Sequence, residues 1–150
     1  MGQLRGLIDT NVLVALVDPE HLHHQHSLDV TVGEKPESFA VALHSLTEFF
    51  HVATRQSPRG LGLKPLVAQA FLDDHISAFS IIGLSIEEHL ATVRQFATTG
   101  RGGPQVYDYL IGQLAVLYNI PLIITWNVKH MAPLFPLLTV VTPTQFIKES

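Results

Sequence analysis

The stretch of sequence that decides the fold lies close to the start of the chain and reads Gly6-Leu7-Ile8-Asp9-Thr10-Asn11-Val12-Leu13-Val14. Its first three residues form a short apolar segment of the kind that becomes a buried strand. A polar trio, residues 9–11, follows at once, and residues 12–17 are apolar again before Asp18-Pro19 ends the run. This order predicts a buried strand that ends at a polar turn, with a helix beginning near Val12.

The rest of the chain repeats this alternation of strands and helices. Further strands are predicted at residues 38–43, 79–84, 120–125 and 139–141, and helices at 21–31, 45–55, 65–75, 85–98 and 105–118, with a last short helix from Pro143. Apolar strands that alternate with helices are typical of a parallel sheet covered on both faces. We therefore predict an α/β fold, a three-layer α/β/α sandwich with a mostly parallel four- to five-stranded sheet, as one domain over residues 1–150.

The composition excludes several classes of protein. Hydrophobic residues make up 47% of the chain and charged residues 15%, which favours a compact globular protein over a disordered one. There is no cysteine, so disulfides and thiolate metal sites are excluded. No apolar run approaches the roughly 20 residues of a membrane span, and the N-terminal apolar segment is too short for a signal peptide. These features predict a cytoplasmic protein without a membrane partner.

Acidic side chains follow the predicted strands at one edge of the sheet. Asp9 follows the first strand, Glu48 is predicted in the first turn of the helix after the second, and Asp108 lies in the first turn of the helix before the fourth. Asn127 comes shortly after that fourth strand. In open parallel sheets ligands collect at this edge, and clustered carboxylate oxygens suit Mg²⁺ or Mn²⁺. The sequence thus predicts a metal site that can activate water for attack on a phosphodiester.

Each of these acids also has a structural explanation that the sequence leaves open. Asp9 could cap the helix that follows it. Glu48 stands three residues after Ser45, which is the spacing of a capping box. Asp108 could complement the dipole at a helix start. The functional interpretation rests on their predicted convergence at one edge of the sheet.

Four segments together resemble the motifs of the PIN domain family. In order they are Leu7-Ile8-Asp9-Thr10-Asn11-Val12-Leu13-Val14, Ser45-Leu46-Thr47-Glu48-Phe49-Phe50, Val106-Tyr107-Asp108-Tyr109-Leu110-Ile111 and Ile124-Thr125-Trp126-Asn127-Val128-Lys129-His130-Met131. The resemblance covers nearly the whole chain and implies metal-dependent cleavage of RNA. It also implies that Asp9, Glu48 and Asp108 are the metal ligands, with Thr10, Asn11 and Thr125 supporting the site.

The resemblance extends to the toxin ribonucleases of the VapC type. It implies an RNA substrate, a small antitoxin protein as partner and a homodimer. Asn127 stands where many members of the family have a fourth acid, and it adds no negative charge. It is expected to serve in the catalytic set beside the three acids, with one tightly held ion and a second ion bound weakly or only alongside substrate.

The net charge is −4, so acidic residues outnumber basic ones. This balance is unfavourable for a broad surface that binds nucleic acid. Local contacts to RNA phosphates are assigned to Arg55, Arg59, Arg101 and Lys129, with Lys64 nearby; ordinary solvated surface is the alternative for each. Trp126 could stack on a base, or simply pack.

The remaining histidines have mostly structural interpretations. Residues 21–26 contain His21, His23, His24 and His26, and a solvated helix start is favoured there over a zinc site. His130 could approach the acidic site, although packing or capping is the simpler expectation.

Two other enzyme classes and one non-enzyme were weighed. A haloacid-dehalogenase-like phosphatase needs a second Asp two positions after the first, where Asn11 stands. A phosphate-receiver domain needs acids before its phosphorylated Asp and a Lys after a late strand, and neither pattern is evident. A catalytically silent module that binds RNA or a protein remains the alternative to a ribonuclease.

Overall fold

The computed structural model describes residues 2–149, so the two ends of the predicted domain, residues 1 and 150, lie outside it. The described strands are β1 Gly6–Ile8, β2 Phe39–Ala42, β3 Ser80–Ile82, β4 Leu122–Ile124 and β5 Thr139–Val141. The helices are α1 Thr10–Val17, α2 His24–Asp29, α3 Leu43–Thr54, α4 Pro65–Asp74, α5 Ile86–Thr98, α6 Gln105–Leu117, α7 Val128–Met131 and α8 Pro143–Glu149. Short 3₁₀ turns cover Pro36–Ser38, Ile76–Ala78 and Ala132–Leu134.

The strands form one five-stranded sheet in the order β3-β2-β1-β4-β5, and every neighbouring pair is parallel. The predicted α/β fold is confirmed. From β1 the chain moves to β2 on one side, whereas β4 leads to β5 on the other. The crevice between β1 and β4 is therefore the point where connections diverge, and its floor is made by the residues that follow these two strands.

Alternate residues of the central strand belong to two different cores. Leu7 packs with Ile111, Leu114 and Ile123 on one face, while Ile8 packs with a larger cluster on the other face that includes Phe39 and Phe49. Each of these side chains is at most 1% exposed. Because both faces are covered, the three central strands β1, β2 and β4 contain no polar side chain, rather than alternating polar and apolar residues.

Several predicted helix boundaries are confirmed. Ser85 and Glu88 form a capping box at the start of α5, with hydrogen bonds of 2.8 and 3.1 Å between the side chain of each and the backbone N–H of the other. Pro65 is the first residue of α4. Asn119 follows α6 with φ 53°, a left-handed conformation that ends helices. Within residues 2–149 no helix has the length and apolar character of a membrane span.

Two predicted helix starts are wrong. Helix α3 begins at Leu43 rather than Ser45, so Glu48 lies in its second turn and the Ser45–Glu48 capping box does not form. Strand β2 passes directly into α3, and Ala42 at the junction has no side chain that could cap it. Helix α1 begins at Thr10, directly after its cap Asp9, rather than near Val12.

The predicted helix over residues 21–31 is shorter than expected, since α2 covers only His24–Asp29. The residues before it form turns, and the Nδ1 atom of His21 accepts a hydrogen bond from the backbone N–H of His23. Such a local side-chain bond competes with helix formation. Strands β2, β3 and β4 are each shorter than predicted by one or two residues at either end, whereas β5 has its predicted bounds.

Gly112 provides a test of how tightly α6 is packed. A Cβ atom at Gly112 would lie 2.0 Å from the ring of Phe135, whereas one at Gly102 would meet nothing within 4 Å. We expect Gly112→Ala to lower the free energy of unfolding by about 1–3 kcal/mol through overpacking, outweighing the gain of ~1 kcal/mol in helix propensity. Urea denaturation measures the change, with Gly102→Ala as the matched control. Equal or greater stability of Gly112→Ala would contradict this packing.

Candidate active site

Asp9 stands at the carboxyl end of the central strand and also caps helix α1. One carboxylate oxygen, Oδ1, accepts a hydrogen bond of 2.8 Å from the backbone N–H of Thr10. The other, Oδ2, accepts a hydrogen bond of 2.8 Å from the hydroxyl of Thr125. The side chain is 6% exposed. The cap and the site carboxylate were alternatives in the sequence, and in the structure one residue occupies both places.

A small hydrogen-bond network fastens the loop after β4 to the loop after β1. The hydroxyl oxygen of Thr125 accepts from Nδ2 of Asn11 and from the backbone N–H of Asn127, each at 3.0 Å. Asn11 in turn accepts the backbone N–H of Trp126 through Oδ1 at 3.0 Å. Thr125 is fully buried, so its hydroxyl is held between Asp9 and these partners. The residues predicted to support the site therefore orient Asp9 and Asn127 relative to each other.

Glu48 and Asp108 approach Asp9 from two different helices. Glu48 lies in the second turn of α3, and the hydroxyl of Thr10 donates to its Oε1 at 3.4 Å. Asp108 lies in the first turn of α6, as predicted. A cleft of about 260 Å³ is lined by Asp9, Thr10, Asn11, Val14, His21, Glu48, Val52, Asp108 and Asn127. Residues far apart in the chain thus line one cavity at the carboxyl edge of the sheet.

The acids of the cleft hold their protons more tightly than ordinary carboxyl groups do. Burial raises the pKa of Asp9, although the hydrogen bonds from Thr125 and Thr10 oppose the change. Burial, together with the charges of Asp9 and Asp108, raises the pKa of Glu48 from 4.5 to about 7. Burial and the charge of Asp9 raise the pKa of Asp108 from 3.8 to about 6, against an opposing effect of His130. The three carboxylates therefore repel one another.

In residues 2–149 the one ion-pair partner of Glu48 is a histidine, His44, while the hydrogen bond from the hydroxyl of Thr10 opposes the rise in its pKa. The Nε2 atom of His44 lies 3.5 Å from Oε1 of Glu48 and is buried without a hydrogen bond in the described part of the chain. Burial and the neighbouring His89 lower the pKa of His44 to about 4, so its ring is neutral at neutral pH. The cleft therefore holds excess negative charge, which a bound cation would neutralise.

The chemistry of these side chains fits a hard divalent cation. Carboxylate oxygens from Asp9, Glu48 and Asp108 and the amide of Asn127 are the donors that Mg²⁺ and Mn²⁺ prefer, and neither sulfur nor a histidine pair competes among the cleft residues. Across residues 2–149, no three acidic or histidine side chains are already closed around one point. Binding of one cation by all three acids would therefore need their side chains to move closer together.

The predicted phosphate-binding residues lie outside the walls of this cleft. Arg55, Arg59, Arg101 and Lys129 are all exposed, and the cleft is lined by other residues. Their contact with RNA stays a prediction. Trp126 is packed rather than free to stack on a base, because its Nε1 donates to Oγ of Ser27 at 2.9 Å and the ring of His23 stacks on it at 3.8 Å.

Two histidines near the acids were given structural interpretations in the sequence. His21 lines the cleft itself, and His130 lies close enough to Asp108 to oppose the rise in its pKa. The dipeptide Asp18-Pro19 predicts a turn before His21. The direction in which the chain leaves that turn depends on tertiary packing, so the sequence did not predict that His21 lines the cleft. His130 follows the last motif, and the sequence left its approach to the site open while favouring packing or capping.

Comparison with known proteins assigns the chain to a family. Residues 6–129 match the family model of the PIN domain. The chain belongs to the PIN domain family. All three acids of the cleft, together with Asn127, fall within the matched range. A comparison with curated protein sequences gives no significant match.

Solved structures with the same fold include toxins and toxin–antitoxin complexes. VapC20 of Mycobacterium tuberculosis, a sarcin-ricin loop cleaving toxin, superposes with a TM-score of 0.65 at 11% identity, over 85% of this PIN domain chain and 93% of the toxin. A toxin–antitoxin complex from Klebsiella pneumoniae gives 0.63 at 22% identity, over 92% and 97% of the two chains. FitAcB from Neisseria gonorrhoeae gives 0.66 at 18% identity, over 92% and 97%. At these identities the likeness establishes the fold.

The raised pKa of Glu48 makes a prediction about stability. A carboxyl group with a raised pKa binds more protons in the folded than in the unfolded protein, so its contribution to stability falls as pH rises between the two values. In EDTA we expect Glu48→Gln to become progressively more stable than the parent protein as pH rises from 4.5 to about 7. Urea denaturation of both proteins across this range measures the difference.

The comparison between parent and variant is needed because His44 acts in the opposite sense. Its lowered pKa adds stability as pH rises from about 4 to 6.5, and this contribution is present in both proteins. Glu87→Gln, at an exposed position on α5, serves as the matched control. A difference between Glu48→Gln and the parent that grows with pH no more than the control's would contradict the raised pKa of Glu48.

Proposed function

We propose that this PIN domain is a Mg²⁺- or Mn²⁺-dependent endoribonuclease and the toxin of a toxin–antitoxin pair. The observation that carries the proposal is the convergence of Asp9, Glu48 and Asp108 on one cleft at the point where the strand connections diverge. These acids are the proposed metal ligands, and Asn127 is proposed to complete the catalytic set. Thr10, Asn11 and Thr125 are proposed to support it through the hydrogen bonds that hold Asp9, Glu48 and Asn127.

The residues of the cleft have different roles in the proposed hydrolysis. A divalent cation held by the acids would polarise the phosphodiester and lower the pKa of water. Asp9 has the most constrained position, since both of its oxygens accept hydrogen bonds from fixed donors. A cation held by Glu48 and Asp108 together with Asp9 would favour the ionised carboxylates and so lower the pKa of Glu48 from about 7 and that of Asp108 from about 6.

Two observations support RNA as the proposed substrate, namely the substrate of a protein with the same fold and the charge of the cleft. The M. tuberculosis neighbour is described as cleaving the sarcin-ricin loop, an RNA element. A cleft with a net negative charge repels a bare phosphate, so substrate binding should depend on the cation. Arg55, Arg59, Arg101 and Lys129 remain the proposed contacts to the RNA backbone outside the cleft.

A small antitoxin and a second copy of this chain are the proposed protein partners. The neighbour from Klebsiella pneumoniae was solved as a toxin–antitoxin complex. That complex supports an antitoxin partner for this chain. The homodimer is an inference from the family, and light scattering on the purified protein checks it, a monomer at micromolar concentration being the contrary result.

Removal of the metal or of Asp9 should abolish cleavage. We expect the parent protein to degrade total RNA in Mg²⁺ or Mn²⁺ and to stop in EDTA. Asp9→Asn should reduce the rate by about a hundredfold or more, because even residues that merely support metal ligands cost 10- to 100-fold when changed. Asp73→Asn, at an exposed position on α4, is the matched control. Gel electrophoresis of the RNA gives the rates.

Cleavage that survives EDTA, or that survives Asp9→Asn, would refute the nuclease mechanism. One observation favours a second candidate, a PIN-fold module that binds RNA or protein without cutting. Asn127 contributes no charge to the cleft and is exposed. If calorimetry detects no Mn²⁺ binding at millimolar concentration and the parent protein leaves RNA intact, the silent module is the better account.

A further inference from the structure

The acidic cleft contains one imidazole side chain among its lining residues. His21 shares the cavity with Asp9, Glu48, Asp108 and Asn127, and it is half-buried. The other lining side chains supply carboxylates, amides, one hydroxyl and two valines. A phosphate in this cleft needs hydrogen-bond donors, because its oxygens face several negative groups. His21 adds an N–H donor to a lining whose other side-chain donors are amides and one hydroxyl.

The backbone of His21 is hydrogen-bonded to a residue before it and to a residue after it in the chain. Its backbone N–H donates to the carbonyl of Asp18, and its own carbonyl accepts from the backbone N–H of His24, each at 3.0 Å. His24 is fixed in turn, since its Nδ1 lies 2.7 Å from the carbonyl of Ala15 in α1. The segment that carries His21 is therefore anchored to the helix that Asp9 caps.

A second set of contacts ties the histidine segment to the loop that carries Asn127. The ring of His23 stacks on Trp126 with 3.8 Å between ring centroids and 11° between planes. Ser27, in α2, accepts the indole N–H of Trp126. The backbone N–H of Trp126 is bound by Asn11, within the network that orients Asp9. His21 therefore has a fixed relation to both loops of the cleft.

The hydrogen bonds of His21 also fix which ring nitrogen carries the proton. Its Nδ1 accepts a hydrogen bond of 3.0 Å from the backbone N–H of His23. A ring nitrogen that accepts a hydrogen bond has no proton of its own, so the proton lies on Nε2. The ring thus offers its Nε2–H as a hydrogen-bond donor on the side away from the backbone.

The geometry points to His21 as a substrate-binding residue, whose Nε2–H donates a hydrogen bond to a phosphate oxygen of RNA in the cleft. This inference rests on the proposed ribonuclease function. It assigns to the cleft a phosphate contact made by the protein, alongside the bound cation. The hydrogen bond from the backbone N–H of His23 to Nδ1 of His21 orients the ring. The same bond competes with helix formation in the segment before α2.

Two substitutions separate this role from a purely structural one. Asn at position 21 can still accept the N–H of His23 through its side-chain oxygen, as in an Asx turn, but its amide is too short to reach the place of Nε2. Gln has a longer side chain, and its amide nitrogen can occupy that place. His21→Asn therefore keeps the turn and loses the donor, whereas His21→Gln keeps the donor. His26→Ala, at an exposed position on α2, is the matched control.

Three measurements are made on each full-length protein. Fluorescence anisotropy with a labelled single-stranded RNA pool of random sequence in Mg²⁺ gives RNA affinity, cleavage of the same pool gives kcat/KM, and calorimetry with Mn²⁺ gives metal affinity. We expect His21→Asn to weaken RNA binding or kcat/KM about tenfold or more, the effect of losing a hydrogen bond to a charged group. His21→Gln and His26→Ala should stay near the parent, and Mn²⁺ affinity should change little in all three.

The inference is overturned if His21→Asn matches the parent protein in RNA affinity and kcat/KM. It is overturned as well if His21→Gln loses as much as His21→Asn, or if Mn²⁺ affinity falls in parallel with RNA affinity, because the residue would then serve the fold or the acids. Failure of the proposed function has a different signature, a parent protein that leaves RNA intact. If the parent protein does not cleave RNA, the anisotropy measurements on the variants alone test the role of His21. A parent protein that also binds no RNA contradicts both proposals.

Discussion

The burial of the Asp9 carboxylate at the end of the central strand is the constraint on which the site depends. A charged group in this position costs free energy unless fixed donors and opposite charge surround it. Donors are supplied by the protein, namely the backbone of Thr10, the hydroxyl of Thr125 and, at 3.5 Å, the amide of Asn11. Opposite charge is not, because Glu48 and Asp108 add negative charge and the ring of His44 is neutral. The cleft is therefore left with excess negative charge, which the proposed cation would neutralise.

Much of this arrangement could be predicted from the sequence because strand ends and acidic residues coincide. Three short apolar segments, beginning near Gly6, Phe39 and Leu122, fix the strands of the central sheet, since only buried strands are apolar on both faces. Parallel strands end at one edge, so Asp9 and Asn127 had to lie near each other. The capping box at Ser85 and the stop at Asn119 were local signals, and both are confirmed.

Other features depend on contacts that no local pattern encodes. The start of α3 had no capping side chain to mark it, because β2 runs straight into the helix through Ala42. His21 gave no sign of its place in the cleft, since its position depends on the stacking of His23 on Trp126, residues about a hundred positions apart. Arg55 and Arg101, which are predicted to contact RNA phosphates, lie outside the cleft walls, and that contact stays a prediction. Tertiary packing, rather than propensity, decided each of these outcomes.

Paramagnetic broadening by Mn²⁺ in an NMR titration tests most directly whether the distant acids share one ion. In a protein labelled with ¹⁵N, substoichiometric Mn²⁺ should broaden the backbone amide signals of Thr10, Glu48, Asp108 and Asn127 together and at the same metal concentration. Mg²⁺ in excess should restore them as a group. Broadening that reaches only one of these positions, or that first reaches exposed acids elsewhere, would contradict a common cation at the edge of the sheet.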